Sequence, residues 1–151
     1  MNIFLYLEDG SKFFAKSFGS NVTVPIISEI VFNTSMQGYQ EVITDPSYCD
    51  QTIVMTYPLI GNYGISADDS ESVIPHLKAL IVKEYSDTPS NFRSRQSLQQ
   101  YLQANNIVGI HEIDTRLLTK KIRTHGTMKS VISAVELSKS ELINAFKEEL
   151  P

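Results

Sequence analysis

A single cysteine, Cys49, and no tryptophan stand among the 151 residues. One thiol closes no internal disulfide and builds no cysteine-cluster zinc site, which excludes disulfide-stapled scaffolds and zinc ribbons and points to a reducing, cytoplasmic compartment. Long apolar runs are missing as well. Ala79-Leu80-Ile81-Val82 is typical of the longest, far below the ~20 residues a membrane span needs. The start, Met1-Asn2-Ile3-Phe4-Leu5, has no basic n-region and meets Glu8-Asp9 at once, so it does not read as a signal peptide. Positive charge is scarce: 13 Lys and Arg face 17 Asp and Glu, a net charge of −4. No global basic field exists to collect phosphates, and nucleic acid is excluded as the main partner. Neither a Gly-x-x-x-x-Gly-Lys loop nor a Gly-x-Gly-x-x-Gly fingerprint occurs, so nucleotide binding has no support in the chain. Internal repeats and low-complexity stretches are absent too.

What is present is the composition of a folded globular chain: 42% apolar, 20% charged, seven Tyr and seven Phe. The length suits one ordinary domain, which would bury about 68–70% of its unfolded surface. The first half reads as strands. Ile3 to Leu7 and Phe13 to Phe18 flank Asp9-Gly10, which predicts a hairpin with a tight primed turn. Ile27 to Thr34 alternates, with Ile30, Phe32 and Met36 on one face and Glu29, Val31 and Asn33 on the other. Gln51 to Tyr57 is β-branched and alternating and stops at Pro58, whereas Leu80 to Val82 is apolar throughout, as in a strand covered on both faces.

The second half is more helical. Leu98, Tyr101 and Leu102 recur at helical spacing between Arg95 and Asn105, with Ser94 as a cap. A short strand over Ile107 to Ile110 comes next. A helix then starts at Asp114 or Thr115, puts Leu117, Leu118 and Ile122 on one side, and ends at Gly126. After a strand from Met128 to Ser133, Ser138-Lys139-Ser140-Glu141 forms a capping box for a last helix striped by Leu142, Ile143 and Phe146. The fold class is α+β, mostly β in the first half with about three helices in the second. Two long loops, Ser35–Asp50 and Pro58–Pro75, are rich in Gly, Asp, Pro and Tyr; loops of that length are functional or disordered, and their aromatics argue for ordered ones.

Few residues invite chemistry. Cys49 sits between Tyr48 and Asp50, and an adjacent carboxylate favours the neutral thiol; no Gly-x-Cys-x-Gly elbow surrounds it. It reads as a passive thiol. His76, His111 and His125 are scattered, and a strand-to-helix junction separates His111 from Asp114, so no metal site is implied. Arg116, Lys120 and Arg123 form a basic stripe roughly opposite Leu118. Such a stripe is a solvated face unless a partner is independently expected, in which case it would dock an acidic one. In Thr44-Asp45-Pro46-Ser47-Tyr48, turn chemistry alone explains Asp, Pro and Ser, yet a serine at a turn tip also offers a donor and an acceptor to a polar ligand. Local chemistry leaves both roles for Ser47 open.

Read in order, these segments resemble a known family. Glu29-Ile30-Val31-Phe32-Asn33-Thr34-Ser35-Met36-Gln37-Gly38-Tyr39-Gln40-Glu41 is similar to the signature near the N-terminus of the small subunit of glutamine-hydrolysing carbamoyl-phosphate synthase. Thr44 to Tyr48, Thr56-Tyr57-Pro58-Leu59-Ile60-Gly61-Asn62-Tyr63-Gly64 and Ser90-Asn91-Phe92-Arg93 match in the same order, as do Asp114-Thr115-Arg116 with Leu118-Thr119, and Ile122-Arg123 with Gly126. The resemblance runs from about Ile3 to Ser133. It implies the swivelling β/β/α fold and a domain that contacts the synthase large subunit and helps enclose an ammonia route. It further implies a following class I glutamine amidotransferase domain, whose Cys nucleophile, His and Glu release ammonia from L-glutamine. The large subunit then joins that ammonia to bicarbonate with ATP, making carbamoyl phosphate for arginine and pyrimidine synthesis. The resemblance carries Ser47 over as a glutamine contact in the intact heterodimer. It gives this domain no catalytic residue, metal or cofactor.

The departure from the family is that the chain stops at Pro151. Residues 1–135 correspond to the N-terminal domain, and 136–151 to a C-terminal helix and the start of the linker toward the amidotransferase domain. On that reading the chain alone hydrolyses no glutamine and exposes an apolar patch where the next domain would sit. Glu29 and Glu41 are expected to be exposed or paired with cations, since a buried lone carboxylate is costly. A stand-alone, non-catalytic interaction module of the same fold is the alternative; a small hydrolase built on Cys49 or a histidine is the weakest reading.

Overall fold

The structure, a computed structural model, describes residues 1–34, 39–56, 77–83 and 98–150. Seven strands close into a barrel: β1 (Asn2–Leu7), β2 (Lys12–Gly19), β3 (Ile26–Asn33), β4 (Gln51–Met55), β5 (Ala79–Ile81), β6 (Val108–His111) and β7 (Met128–Ser133). Around the barrel they run β1-β2-β6-β5-β4-β3-β7, and β7 returns to β1. β3, β4, β5 and β6 pair in parallel, and the remaining ladders are antiparallel. Closure leaves this sheet without a free edge. Together with helices α1 (Tyr39–Ile43), α2 (Leu98–Ala104), α3 (Thr115–His125) and α4 (Lys139–Phe146), the architecture is α+β, as the sequence pattern requires.

The hairpin forms where Asp9-Gly10 predicts it, but its loop is longer than a two-residue primed turn. Leu7 N–H donates to Ser11 O at 2.9 Å and Gly10 N–H to Leu7 O at 3.0 Å. Only Gly10 takes a positive φ, of 94°. Asp9 instead accepts from Ser11 N at 2.9 Å. An Asx turn followed by a left-handed glycine wins over the primed turn.

Period-two alternation sorts two cores. Ile3, Leu5 and Leu7 of β1, Ile30 of β3, Val54 of β4, Ile81 of β5, Ile110 of β6 and Ile132 of β7 belong to the inner one. α3 lays Leu118 and Ile122 on the same core. Three buried hydroxyls lie among these side chains, and they satisfy one another. Ser28 Oγ and Thr52 Oγ1 are 2.6 Å apart, and Ser130 Oγ donates to Ser28 O at 3.3 Å. The outer core lies over the other face of β4 and β5, where Ile53, Met55 and Leu80 meet Val42 and Ile43 of α1 and Leu98 and Leu102 of α2. β4 is therefore buried on both faces from Thr52 to Met55, and its alternation marks two cores rather than one dry face and one wet one. β5 is covered on both faces, as its unbroken apolar run predicts.

α2 docks where two glycines permit it. Gly19 has φ +72°, and a Cβ there would stand 2.8 Å from Leu102 Cβ and 2.9 Å from Ile107 O. Its N–H donates to Gln99 Oε1 at 2.7 Å, tying the end of β2 to the helix. Gly109 lies under the Phe18 ring, which a Cβ would meet at 2.6 Å. The predicted start of this helix, Arg95 with the Ser94 cap, lies outside the described residues, as do Met36, Tyr57 and the Pro58–Pro75 loop.

Two further readings are corrected. Ser35–Asp50 is not all loop, since α1 and a one-turn 3-10 helix, Pro46–Tyr48, lie within it. Elements that short carry no periodicity to read, and they are held by tertiary burial of Val42 and Ile43. On α3 the buried side is Thr115, Leu118, Thr119 and Ile122, while Leu117 is 39% exposed. A helix of 3.6 residues per turn cannot bury 117 and 118 equally, and two threonines take the core-facing place. The α4 capping box forms as predicted, with Glu141 N–H donating to Ser138 Oγ and Ser138 N–H to Glu141 Oε1. No residue of that helix is fully buried. Its C-terminus is held by Lys129 of β7, whose Nζ donates to Phe146 O at 3.1 Å and Glu148 O at 2.8 Å.

Candidate functional site

The Asp45–Tyr48 turn links α1 to β4 and is built by its own side chains. Asp45 is extended at the cap position (φ −74°, ψ 117°), and Pro46 supplies the preset φ of a first helical residue, where no N–H is needed. Asp45 Oδ1 accepts from the Ser47 backbone N–H at 2.9 Å and from Ser47 Oγ at 2.8 Å. Tyr48 N–H donates to Asp45 O and Cys49 N–H to Pro46 O, which completes the turn. Tyr48 then leans on the outer core and accepts from Asn33 Nδ2 at 2.7 Å. The turn is pinned on both sides, and Ser47 stands exposed at its tip with its hydroxyl oriented by a carboxylate.

That arrangement orients; it does not activate. The hydrogen bond from the Ser47 backbone, then that from its hydroxyl, holds the Asp45 carboxyl below the ordinary carboxylate range. A carboxylate that acidic is a weak general base near neutral pH, so Ser47 is presented as a polar contact rather than a nucleophile. Cys49 follows immediately and is exposed. Desolvation against the loop, then the hydrogen bond to Asp50 Oδ2 at 3.5 Å and that carboxylate's charge, pushes its thiol above the ordinary range. Asp50 itself lies in the left-handed region with φ 62° and faces Lys78 at 3.7 Å. The thiol is therefore kept protonated, as the neighbouring carboxylate implies.

The histidines are not brought together. His111 lies edge-on to Phe18 with ring centroids 5.4 Å apart, and its Nε2 is 4.0 Å from Glu112. His125 sits at the end of α3 with Nδ1 3.2 Å from Thr127 O. His76 lies outside the described residues. Among the described residues no three His, Cys, Asp or Glu side chains cluster as metal ligands. Glu29 is partnered by Gln51 Nε2 at 3.2 Å, and Glu41 is exposed.

The basic stripe of α3 is real and larger than the sequence spacing shows. Arg116, Lys120 and Arg123 line a groove of about 720 Å³ together with Lys83, which follows β5, and with Thr34 and Thr56, which follow β3 and β4. The groove therefore stands where three parallel strands end. Lys83 could have been added from the sequence, as the residue just past an interior strand. A second groove of about 630 Å³ runs between α4 and the β1–β2 hairpin, with Tyr6, Leu142, Ile143 and Phe146 among its walls. No helix among the described residues is long and apolar enough to cross a membrane.

Among the described residues the barrel thus presents an oriented serine at a turn tip and two open grooves. Residues 5–132 match the family described as the carbamoyl-phosphate synthase small chain, CPSase domain. The chain belongs to that carbamoyl-phosphate synthase small-chain family. It is 54% identical over 143 residues to the carbamoyl phosphate synthase small chain of Oceanobacillus iheyensis, an alignment covering 95% of this chain and 38% of that relative. It is 50% identical to the pyrimidine-specific small chain of Halalkalibacterium halodurans, over 95% of this chain and 39% of that one. The pyrimidine-specific small chain of Bacillus subtilis is 47% identical over 97% of this chain and 40% of its own length. The chain thus spans 38–40% of the length of these curated relatives.

Proposed function

We propose that this chain is the N-terminal domain of a carbamoyl-phosphate synthase small chain and works as a positioning part of a larger enzyme. It docks on a synthase large chain, helps enclose the passage of ammonia, and presents Ser47 to L-glutamine held in a neighbouring amidotransferase domain. The enzyme as a whole makes carbamoyl phosphate from glutamine, bicarbonate and ATP in the cytoplasm. Amide hydrolysis belongs to the amidotransferase domain, a reading supported by Cys49 and Ser47, whose hydrogen-bonded neighbours among the described residues are the carboxylates Asp50 and Asp45. By itself the chain is inactive. The carbamoyl phosphate serves arginine and pyrimidine synthesis, and two relatives named pyrimidine-specific support the second of these.

The observation that carries the reading is the Asp45-held hydroxyl of Ser47. Glutamine offers ammonium, carboxylate and amide groups, each able to meet a fixed hydroxyl, and a site built around such a contact loses affinity when it is removed. In the small chain carrying this domain, Ser47→Ala should raise the glutamine KM more than it lowers kcat, the mark of binding shared by ground state and transition state. Steady-state glutaminase assays at several glutamine concentrations check this. An unchanged KM removes Ser47 from the glutamine site.

A further inference from the structure

Among the described residues, the cations of the α3 groove have no carboxylate partners. The ion pairs of the barrel are Lys12–Glu136, Lys16–Glu112, Lys78–Asp50, His111–Glu112 and Lys121–Asp9. Lys121, on the flank of α3 beside the stripe, is paired, whereas Arg116, Lys120 and Lys83 on the groove side are exposed without an ion pair. Arg123 places its guanidinium 5.4 Å from the Phe32 ring centroid, which fixes its direction without neutralising it. In a chain of net charge −4, this sets four cations on the groove against one carboxylate, the helix cap Asp114.

The shape of the charge selects the occupant. A helix rises about 1.5 Å per residue, so Arg116 and Arg123 are roughly 10 Å apart along the axis. That spread is too wide for one phosphate-sized anion. The helix N-terminus is also already filled, because Asp114 caps it and accepts from Leu117 N–H at 2.9 Å. Leu117, 39% exposed, also lines the groove beside the stripe and adds an apolar contact. Arginine is enriched at protein interfaces and among their energetically dominant residues.

We infer that the α3 groove is a protein-docking surface that takes an elongated acidic segment of the synthase large chain, with Arg116 and Lys120 as its principal contacts. This rests on the proposed docking to a large chain and assigns that docking a place. The acidic segment lies along α3, its carboxylates meeting Arg116, Lys120 and Lys83, and its apolar residues covering Leu117. Complementary charge of this kind speeds association and makes it salt-sensitive.

The test measures association of the small chain carrying this domain with its large chain by surface plasmon resonance across ionic strengths. The charge-reversal variant Arg116→Glu/Lys120→Glu is compared with Lys16→Glu on the exposed side of β2, outside both grooves, as a charge control. The groove variant should bind about 10- to 100-fold more weakly and lose most of its salt dependence, while the control binds as the parent does. Groove and parent chains that bind alike overturn this inference and leave the docking reading standing. Absence of any association by the parent chain overturns both. A groove variant that binds normally but melts lower puts the groove's occupant within this chain, and one that changes its self-association instead puts a second copy there; each overturns the inference.

Discussion

Single residues decide how the barrel takes its helices. Gly109 and Gly19 both stand where a side chain would collide, but with different neighbours. At Gly109 the obstacle is the Phe18 ring, a side chain with some room to turn. Gly109→Ala should cost about 1–3 kcal/mol, as overpacking does. At Gly19 the obstacles are Leu102 Cβ and the Ile107 carbonyl, and φ is +72° besides. Gly19→Ala should cost more than Gly109→Ala and also loosen the Gln99 hydrogen bond that ties down α2. Urea unfolding of both variants gives the ranking, and equal midpoints would contradict it. Neither constraint was legible in the sequence, because each depends on which strand ends under which helix. Ser47 is a parallel case: local chemistry left a turn role and a ligand contact both open, and only the ordered motifs around it favoured the second. Cys49 was readable locally, since Asp50 is its neighbour in the chain as well as in space.

At the scale of elements, α4 is the helix most dependent on its ends. It buries no residue fully and is held by the Ser138–Glu141 box at one end and Lys129 at the other. The hydrogen bond from the Ser138 backbone, then that from its side chain, holds the Glu141 carboxyl below the ordinary glutamate range. A depressed folded pKa contributes stability that is present above the unfolded value and is lost as pH falls through the folded one. The helix should therefore fray as the solution is acidified through and below the ordinary glutamate range, while the barrel stays folded. Amide protection of α4 against pH would show this; Glu141→Gln, whose amide oxygen still accepts from Ser138 N–H, should lose the pH dependence, and Glu141→Ala should exchange fast at every pH. A flat profile in the parent chain would rule it out. The Ser138–Glu141 box was visible in the sequence because capping is local chemistry, whereas Lys129 reaches α4 only through the fold. Also visible were all seven strands, the α3 cap at Asp114 and the interior character of β5. Leu117 was misplaced because a pair of adjacent leucines gives no hint of which one faces inward, and α1 was missed because five residues carry too little pattern.

For the molecule as a whole, the strand order follows from no local signal. β1 pairs with its hairpin neighbour β2, which the turn residues announce, and also with β7 near the other end of the chain, which nothing announces. β7 bridges β1 and β3, from Phe4↔Ser133 on one side to Ile30↔Met128 on the other. Deleting the chain from Met128 onward should therefore abolish cooperative unfolding altogether instead of lowering its midpoint. Thermal melting followed by near-ultraviolet circular dichroism distinguishes the two, and a residual cooperative transition would show that the open sheet is self-sufficient. The altered response would reach both grooves, since the α3 and α4 surfaces are positioned by this same closure.

That last strand also sets a clock. Ribosomes add about 5–20 residues per second, so β1 and β3 wait on the order of ten seconds or so before their shared partner emerges. During that interval the earlier strands offer unpaired backbone to any neighbouring nascent chain, and pairings between sequence-distant strands are slow to form even once they are available. Closure of this barrel thus waits for β7, and the yield of native protein should depend on chaperone supply more than its final stability would suggest.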